Sequence, residues 1–290
     1  MLRIYLGRLT MADTESYEIY AIRYAYRSDR KRHENFIVNA WTDPVHDDLE
    51  PIAYYVWALR NQNRIIVIDT GFSKKESDDR TAESGGIWRC DHECAPAEGL
   101  ASIGIDSRKV SDVIITHLHY DHAGTLADFP SARFHLQEFE IQYATGPHMS
   151  NSYFSGAYTV EHIVQVVRYI FQDRVVFHKG DSEVAPGVTV HHIGGHTMGM
   201  QCVRVMTERG WVVLASDASH FYANFESNAP FPIVYNVSDM VKGFDRLRRL
   251  AQSPRHVIPG HDPLVTSRYA LVSPSVPYQA VRLDIDPVSE

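Results

Sequence analysis

Short apolar runs alternate with polar, turn-forming segments along the chain. The alternation of polar and apolar residues from Tyr17 to Tyr26 predicts a β-strand. Two more strands are predicted at Ala53–Leu59 and Arg64–Asp69, with Asn61-Gln62-Asn63 as the hairpin turn between them. Apolar residues spaced three or four positions apart then predict a helix over Thr159–Phe171 with one buried face.

The second half of the chain repeats this order of strands and a helix. An amphipathic helix is predicted over Met240–Leu250, and strands are predicted at Val175–Phe177, Val188–Ile193, Cys202–Met206, Trp211–Ser216 and His256–Pro259. Because no linker separates the halves, we expect one domain over residues 1–290, made of two αβ halves at about 1–180 and 181–290. A sheet with outer helices in each half predicts an α/β fold, specifically a four-layer αββα sandwich.

The polar segment Ser73–Gly99 interrupts this pattern. It is rich in charge and contains Gly85-Gly86, so we expect a long loop or lid rather than core. A short helix is expected within Ala95–Ile103, and the chain then leads into a short buried strand at Val113–Thr116.

The composition limits the classes of function. With 290 residues, 44% of them hydrophobic, the chain can bury an ample core. A formal net charge of -8 and the lack of a long basic run argue against a nucleic-acid partner. No apolar run could span a bilayer, and the first residues lack a signal-peptide pattern, so we expect a cytoplasmic protein without a membrane partner.

The segment His117-Leu-His119-Tyr-Asp121-His122 carries the strongest chemical signal. It places three imidazoles and one carboxylate in six residues, directly after the predicted strand at Val113–Thr116. Nitrogen and carboxylate ligands without thiolates suit zinc, and also iron, cobalt or manganese. The sequence therefore predicts a metal site at the end of this strand.

Three more candidate ligands each follow a predicted strand. They are His196, after Gly194-Gly195, then Asp217, and then His261, after Gly260. The total is five imidazoles and two carboxylates. Because one catalytic metal takes about three protein ligands, seven ligands fit two ions, with Asp217 as the natural bridge between them.

These motifs together resemble the metallo-β-lactamase-fold hydrolase superfamily. The matching motifs are Thr116–Gly124, Gly195-His196-Thr197, Ser216-Asp217-Ala218, Gly260-His261-Asp262 and the earlier turn Asp69-Thr70-Gly71. The resemblance covers about Ala53 to Val265 and implies the αββα sandwich of the metallo-β-lactamase fold with two Zn²⁺ ions. It implies one metal held by His117, His119 and His196, and a second held by Asp121, His122 and His261, with Asp217 bridging the two.

Within the superfamily the chain looks most like the N-acyl homoserine lactonase group. The stretch Gly195–Gln201 and the downstream Ser216–Ser219 carry this resemblance. It implies a dinuclear zinc hydrolase that opens a small lactone by attack of a metal-bridging hydroxide, with N-acyl homoserine lactones as candidate substrates. The lactonases have a Tyr three residues after the bridging Asp, and here that position is His220.

Two residues are predicted to act in catalysis. By family analogy Asp121 would carry a proton to the leaving ring oxygen. His220 could donate a hydrogen bond to the oxyanion in place of the missing phenol, or act as a general acid, or be an ordinary polar residue near the site. Asp69 is expected to orient a ligand imidazole or brace its loop, or only to cap the turn in which it lies. The aromatic residues Tyr153, Phe154, Phe221, Tyr222, Phe225 and Phe231 could line the substrate pocket or belong to the core.

Other functions remain open at this point. A glyoxalase II-like thioesterase, or another ester or amide metallohydrolase, shares the metal motif, but only a short tail follows His261 here to supply a glutathione-binding part. A redox di-metal protein or a non-catalytic metal-binding scaffold is a more remote alternative. Relatives are often dimers, so a homodimer is an open alternative to the monomer.

Overall fold

Two β-sheets form the centre of the molecule in this computed structural model, which describes residues 14–37, 42–273 and 278–289. The first sheet has the strand order β13-β1-β2-β3-β5-β6-β7, with β4 paired to β1, and the second has the order β12-β11-β10-β9-β8. The strands are β1 Glu18–Arg27, β2 Ile52–Arg60, β3 Ile65–Ile68, β4 Asp91–His92, β5 Asp112–Ile114, β6 Arg133–Gln137, β7 Val175–His178, β8 Ser182–Ala185, β9 Val188–His192, β10 Gln201–Thr207, β11 Gly210–Ser216, β12 Val257–Pro259 and β13 Ala280–Arg282.

Helices cover the outer faces of both sheets. The α-helices are α1 Arg32–Asn35, α2 Lys74–Glu83, α3 Pro96–Ser102, α4 Tyr120–Ala123, α5 Glu138–Ala144, α6 Ser152–Ser155, α7 Val160–Phe171, α8 Tyr222–Ser227, α9 Val237–Leu250 and α10 Leu264–Arg268. Short 3₁₀ turns lie at Ser107–Lys109, Leu126–Asp128, Pro147–Ser150 and Pro254–His256. Helices α3 and α7 pack on the first sheet, and α9 packs on the second. This is the predicted αββα sandwich.

Strand β2 shows why the first sheet is buried on both faces. Tyr55 and Trp57 belong to the core between the sheets, whereas Val56 and Ala58 belong to the core under the helices. Successive side chains of a strand point to opposite faces, so a strand covered on both sides must be apolar throughout. Each large side chain buried in this way contributes about 1.5–3 kcal/mol.

The strand directions bring particular loops to one edge of the sandwich. Strands β3, β5, β6 and β7 run parallel to one another, and β11 runs parallel to β12. The carboxyl ends of parallel strands share one edge of their sheet, which is where ligands bind in open α/β sheets. The loops that follow β3, β5, β11 and β12 carry Asp69, the 117–122 motif, Asp217 and His261.

Most predicted elements are confirmed, with shifts of a few residues at their ends. The helix predicted from Met240 begins at Val237, and the helix expected within Ala95–Ile103 is α3. The short edge strands β8 and β13 were not predicted. No helix in the described part of the chain combines the length and apolar character needed to cross a bilayer. The expectation about a signal peptide concerns the first residues, which lie outside the described ranges.

The prediction of a long loop or lid over Ser73–Gly99 is wrong for residues 74–83, which form a helix. Helix α2 begins after Ser73, whose hydroxyl accepts a hydrogen bond from the Glu76 N–H, and strand β4 follows. Ion pairs one turn apart run along α2, including Lys74–Asp78 at 2.7 Å. Only Ser77 of this helix is buried, so α2 lacks the apolar stripe from which a helix is normally predicted.

Candidate metal centre

The structure brings all seven predicted ligands to one point at the edge of the sandwich. They are His117, His119, Asp121, His122, His196, Asp217 and His261. All seven are buried, and the most exposed of them, Asp121, has only 8% of its surface accessible. They come from four loops spread between residues 117 and 261, so the fold rather than local sequence assembles them.

One group consists of three imidazoles. The Nε2 atoms of His117 and His196 each lie 3.0 Å from Nδ1 of His119. A tetrahedral metal with bonds of 2.0–2.1 Å would separate its ligand nitrogens by about 3.3 Å, close to this spacing. Burial lowers the pKa of His117 and of His119 well below the ordinary value, which favours the neutral rings that bind metals.

A second group contains Asp121, His122 and His261. Oδ2 of Asp121 lies 3.5 Å from Nε2 of His122 and 3.7 Å from Nε2 of His261. Nε2 of His122 is buried and has no hydrogen-bond partner within the described residues. Burial opposes a charge on this ring, but the surrounding carboxylates, first among them Asp217, raise the pKa of His122 well above its ordinary value. The pocket therefore favours a cation.

Asp217 lies between the two groups and presents one oxygen to each. Oδ1 is 3.2 Å from Nε2 of His122 and 3.0 Å from Nε2 of His261. Oδ2 is 3.3 Å from Nε2 of His196 and 3.8 Å from Nε2 of His117. A carboxylate in this position has the geometry of a bridge between two cations.

Hydrogen bonds from outside the group fix the ligand imidazoles. Oδ2 of Asp69 lies 2.8 Å from Nδ1 of His122, and Oδ1 accepts the Thr116 N–H at 2.7 Å. Nδ1 of His261 lies 2.8 Å from the Ala53 carbonyl oxygen. Carboxylates and carbonyls only accept, so both Nδ1 atoms donate, and each Nε2 atom is directed inward toward the other ligands. Asp69 thus contacts both the ring of His122 and the backbone of the Thr116 loop.

Glu140 is a buried carboxylate that the sequence analysis did not single out. It accepts hydrogen bonds from the Leu118 N–H at 2.9 Å and the Gly199 N–H at 3.1 Å. It also accepts from the hydroxyls of Thr197 at 2.6 Å and Tyr158 at 3.0 Å. Glu140 therefore ties the 117–122 loop to the 195–199 loop. An acidic residue in the first turn of a helix such as α5 is common, so it gave no signal.

His220 contacts Asp217 in this structure. Its Nε2 lies 2.8 Å from Oδ2 of Asp217, and its ring stacks on Phe231 with the ring centres 3.8 Å apart. Burial lowers the pKa of His220 to about 3, and a neutral imidazole has a single N–H. That N–H points to Asp217, while Nδ1 is buried without a hydrogen-bond partner in the described part of the chain.

The part of the chain that matches a known protein family contains the whole candidate site. Residues 49–261 match the model of the metallo-beta-lactamase superfamily, and this range includes all seven predicted ligands. The chain belongs to the metallo-beta-lactamase superfamily.

Several relatives of this superfamily member are lactonases. It is 26% identical over 223 residues to an N-acyl homoserine lactonase from Bacillus sp, covering 74% of this chain and 83% of the relative. It is also 26% identical over 231 residues to the N-acyl homoserine lactonase AttM from Rhizobium johnstonii, covering 76% and 84%. The predicted resemblance to the N-acyl homoserine lactonase group is confirmed.

A solved structure supports the fold. An N-acyl homoserine lactone hydrolase, determined with the product N-hexanoyl-L-homoserine bound at its catalytic metal centre, superposes with a TM-score of 0.69. The two chains are 21% identical, and the superposition covers 88% of this chain and 96% of that chain. At this identity the likeness establishes the metallo-beta-lactamase fold.

A narrow cavity, here called the site cavity, opens over the metal centre of this metallo-beta-lactamase superfamily member. Besides His220 and five of the seven predicted ligands, its wall contains Arg30, Ile52, Tyr54, Trp88, Tyr120, Ala157 and Ile233. None of the aromatic residues proposed from sequence lines it. Tyr222, Phe225 and Phe231 instead belong to the hydrophobic cluster that also contains the buried side chains of α9. The aromatic wall residues come from β2, from α4, and from the segment between α2 and β4, which lies within the Ser73–Gly99 range expected to form a loop or lid.

Proposed function

We propose that this protein is a metal-dependent hydrolase that opens a small lactone, with two divalent cations in the site. The position of Asp217, with one carboxylate oxygen toward each group of ligands, is the observation that carries the proposal. The relatives named as N-acyl homoserine lactonases support the choice of a cyclic ester as substrate.

The donor set fits two metal ions. His117, His119 and His196 would hold one ion, the group of Asp121, His122 and His261 would hold the other, and Asp217 would bridge them. The unpartnered Nε2 of His122 and Oδ1 of Asp217 support this assignment, because a buried polar atom is costly unless something binds it. Zinc suits a nitrogen and oxygen set, and iron, cobalt or manganese are alternatives. When bound, such a pair acidifies a shared water and polarises a carbonyl oxygen.

The protein side chains would position the substrate and move protons. Asp121 is the most exposed of the seven ligands and lines the site cavity, so its carboxylate can accept a proton and pass it to the ring oxygen of the opening lactone. His220 also lines the cavity. Because its N–H points to Asp217, it would hold that carboxylate in its bridging orientation, and donation to the oxyanion would require the ring to release Asp217.

The test combines metal analysis with a substrate panel. Purified protein loaded with zinc should contain about two equivalents of metal and should release acid from lactones. The panel contains N-acyl homoserine lactones, γ-butyrolactone and an aromatic-fused lactone, with a glutathione thioester as comparison. Turnover of the thioester alone would favour the glyoxalase II-like alternative. If metal-loaded protein opens no ester, lactone or thioester, the hydrolase proposal fails. The result would then favour a non-catalytic metal-binding scaffold.

A further inference from the structure

A buried arginine lies in the wall of the site cavity. Arg30 has only 7% of its surface accessible and lines the same cavity as Asp121 and Asp217. Its neighbours in that wall include Ile52 and Trp88, which are apolar or aromatic. A guanidinium is charged at every physiological pH, so this wall carries a permanent positive charge.

Among the described residues Arg30 forms no ion pair with a carboxylate, although Asp121 and Asp217 line the same cavity. Its Nη2 donates to the Glu34 carbonyl oxygen at 2.8 Å, and its Nε is buried without an acceptor in the described part of the chain. The nearby carboxylates are engaged elsewhere, since Arg27 binds Asp29 at 2.9 Å and the Glu34 side chain at 3.2 Å. A buried charge without a counter-charge is strongly unfavourable, so Arg30 is expected to have a partner that enters from the cavity.

The metal centre strengthens this expectation. If two divalent cations bind as proposed above, their charge exceeds that of the Asp121 and Asp217 carboxylates. The cavity would then present a net positive field to the substrate from two sources, the metal centre and Arg30. A low-dielectric wall of aromatic and aliphatic side chains increases the strength of that field.

We infer that the natural substrate is a lactone bearing a free carboxylate, and that Arg30 binds this carboxylate and so determines substrate specificity. The guanidinium fork matches a carboxylate in two parallel hydrogen bonds. One guanidinium balances the single charge of a carboxylate, whereas a phosphate monoester would bring nearly two. The inference rests on the proposed lactonase function and narrows it, because an N-acyl homoserine lactone is uncharged.

The first experiment compares two substrates that differ only in charge. They are γ-butyrolactone carrying a carboxylate on the carbon next to the ring oxygen, and the same lactone carrying a carboxamide there. In the unmodified protein kcat/KM should be at least about 10-fold higher for the carboxylate, the size expected for a charge-assisted hydrogen-bonded pair. A carboxamide that reacts as fast as the carboxylate, or faster, would overturn the inference.

Variants at two arginines locate the source of this preference. Arg30→Met should remove the preference by raising KM for the carboxylate, with little change for the carboxamide, and Arg30→Lys should keep part of it. Arg30→Gln removes the charge but retains a donor for the Glu34 carbonyl, so it tests the inference if the Met variant does not fold. Arg27→Met is the matched control, since Arg27 is equally buried but paired, and should keep the preference. A preference that persists in Arg30→Gln contradicts the inference.

A binding measurement separates this inference from the proposed function. Calorimetric titration of the zinc-loaded protein with the two opened products uses 2-hydroxyglutarate, which has the extra carboxylate, and 4-hydroxybutyrate, which does not. Arg30→Gln should raise the Kd for 2-hydroxyglutarate by at least about 10-fold and leave the Kd for 4-hydroxybutyrate unchanged. Equal weakening of both would show that Arg30 has only a structural role. This result stands even if no lactone is turned over, in which case the lactonase proposal alone would fail.

Discussion

Two groups of buried histidines in this molecule use their ring nitrogens in opposite ways. The edge cluster, formed by Asp112, His135, His178 and Ser182, is a chain of hydrogen bonds at the edge of the first sheet. Oδ1 of Asp112 lies 3.1 Å from Nε2 of His135, whose Nδ1 lies 3.0 Å from Nε2 of His178. Nδ1 of His178 is bonded to the Ser182 hydroxyl. Each ring nitrogen of the edge cluster therefore has a partner.

The metal centre has the same residue types but a different arrangement. Its inward nitrogens converge on one another rather than on donors, and Nε2 of His122 and Oδ1 of Asp217 have no hydrogen-bond partner within the described residues. Burial and histidine content are thus shared by both groups and do not identify a metal site. Lone pairs that converge without enough protons to satisfy them distinguish the candidate metal centre from the edge cluster.

Replacing one carboxylate in the metal centre and one in the edge cluster should give the largest difference in metal content and turnover between two variants. Asp217→Asn removes the charge that faces both groups of ligands, so we expect loss of at least one metal equivalent. Lactone turnover should fall by more than about 100-fold, which is the upper end of the loss expected when a residue that only orients a ligand is removed. Metal content by mass spectrometry and kcat with a fixed lactone measure the two effects.

Asp112→Asn is the matched control for this change. Asp112 bonds to His135 in the edge cluster and does not contact the predicted ligands. Its replacement should therefore leave metal content and turnover within about two-fold of the unmodified protein, as expected for independent sites. If Asp112→Asn lost metal as readily as Asp217→Asn, the distinction between the two groups would be wrong.

Asp69→Asn should have the next largest effect, because it acts on a metal ligand through one hydrogen bond. The amide could present its NH₂ to Nδ1 of His122 and so favour the tautomer whose Nε2–H points inward. We expect metal affinity to fall by roughly 10–100-fold, the usual cost of losing an outer-shell partner. Competition with a chelator measures this fall. Unchanged affinity would show that Asp69 only braces the Thr116 loop.

The seven side chains of the candidate metal centre could be predicted because each has a local signal. A run of apolar residues that ends in a lone His or Asp, often beside Gly, marks a strand whose end presents one ligand, as at Asp217 and His261. Within each sheet, parallel strand ends share an edge, which predicts that Asp217 and His261 lie together; the packing of the two sheets brings them to the 117–122 motif.

The remaining features depend on contacts between distant segments. Glu140 joins Leu118 to Gly199, and Arg30 becomes part of the site only through its place in the cavity wall. Strand β13 is stabilised by pairing with β1, with Tyr20 opposite Arg282, and its own three residues carry no clear strand pattern. In each case the chemistry of the residue is ordinary and its tertiary neighbours give it a role.

His220 variants should have a smaller effect that distinguishes two roles. If His220 holds Asp217 through their 2.8 Å contact, His220→Ala should weaken metal affinity by about 10-fold. His220→Tyr, which restores the residue of the lactonase group, tests whether a phenol can replace it. A lower kcat with unchanged metal affinity in His220→Ala would instead support the predicted oxyanion donor. Equal metal affinity and equal turnover in all three proteins would remove His220 from the mechanism.

The smallest predicted effect concerns the edge cluster and appears in stability rather than activity. Burial lowers the pKa of His178 from its usual 6.5 to about 4. Between these values the unfolded chain binds a proton that the folded chain does not, so the free energy of unfolding decreases as the pH falls from about 6.5 to about 4. His178→Gln keeps a donor and an acceptor for His135 and Ser182 but cannot titrate. It should therefore lose on the order of 1–2 kcal/mol less stability over this range than the unmodified protein.

Urea unfolding at pH 6.5 and pH 4.5 measures this difference, with the exposed His33→Gln as control. Other histidines titrate in the same range, but their contribution cancels when each variant is compared with the unmodified protein. A His178→Gln protein with the same acid sensitivity as the unmodified protein would mean that His178 titrates alike when folded and unfolded. A ring that takes up a proton freely is not held between two fixed hydrogen-bond partners. The edge cluster would then not be a closed chain of hydrogen bonds, and the contrast with the metal centre would be lost.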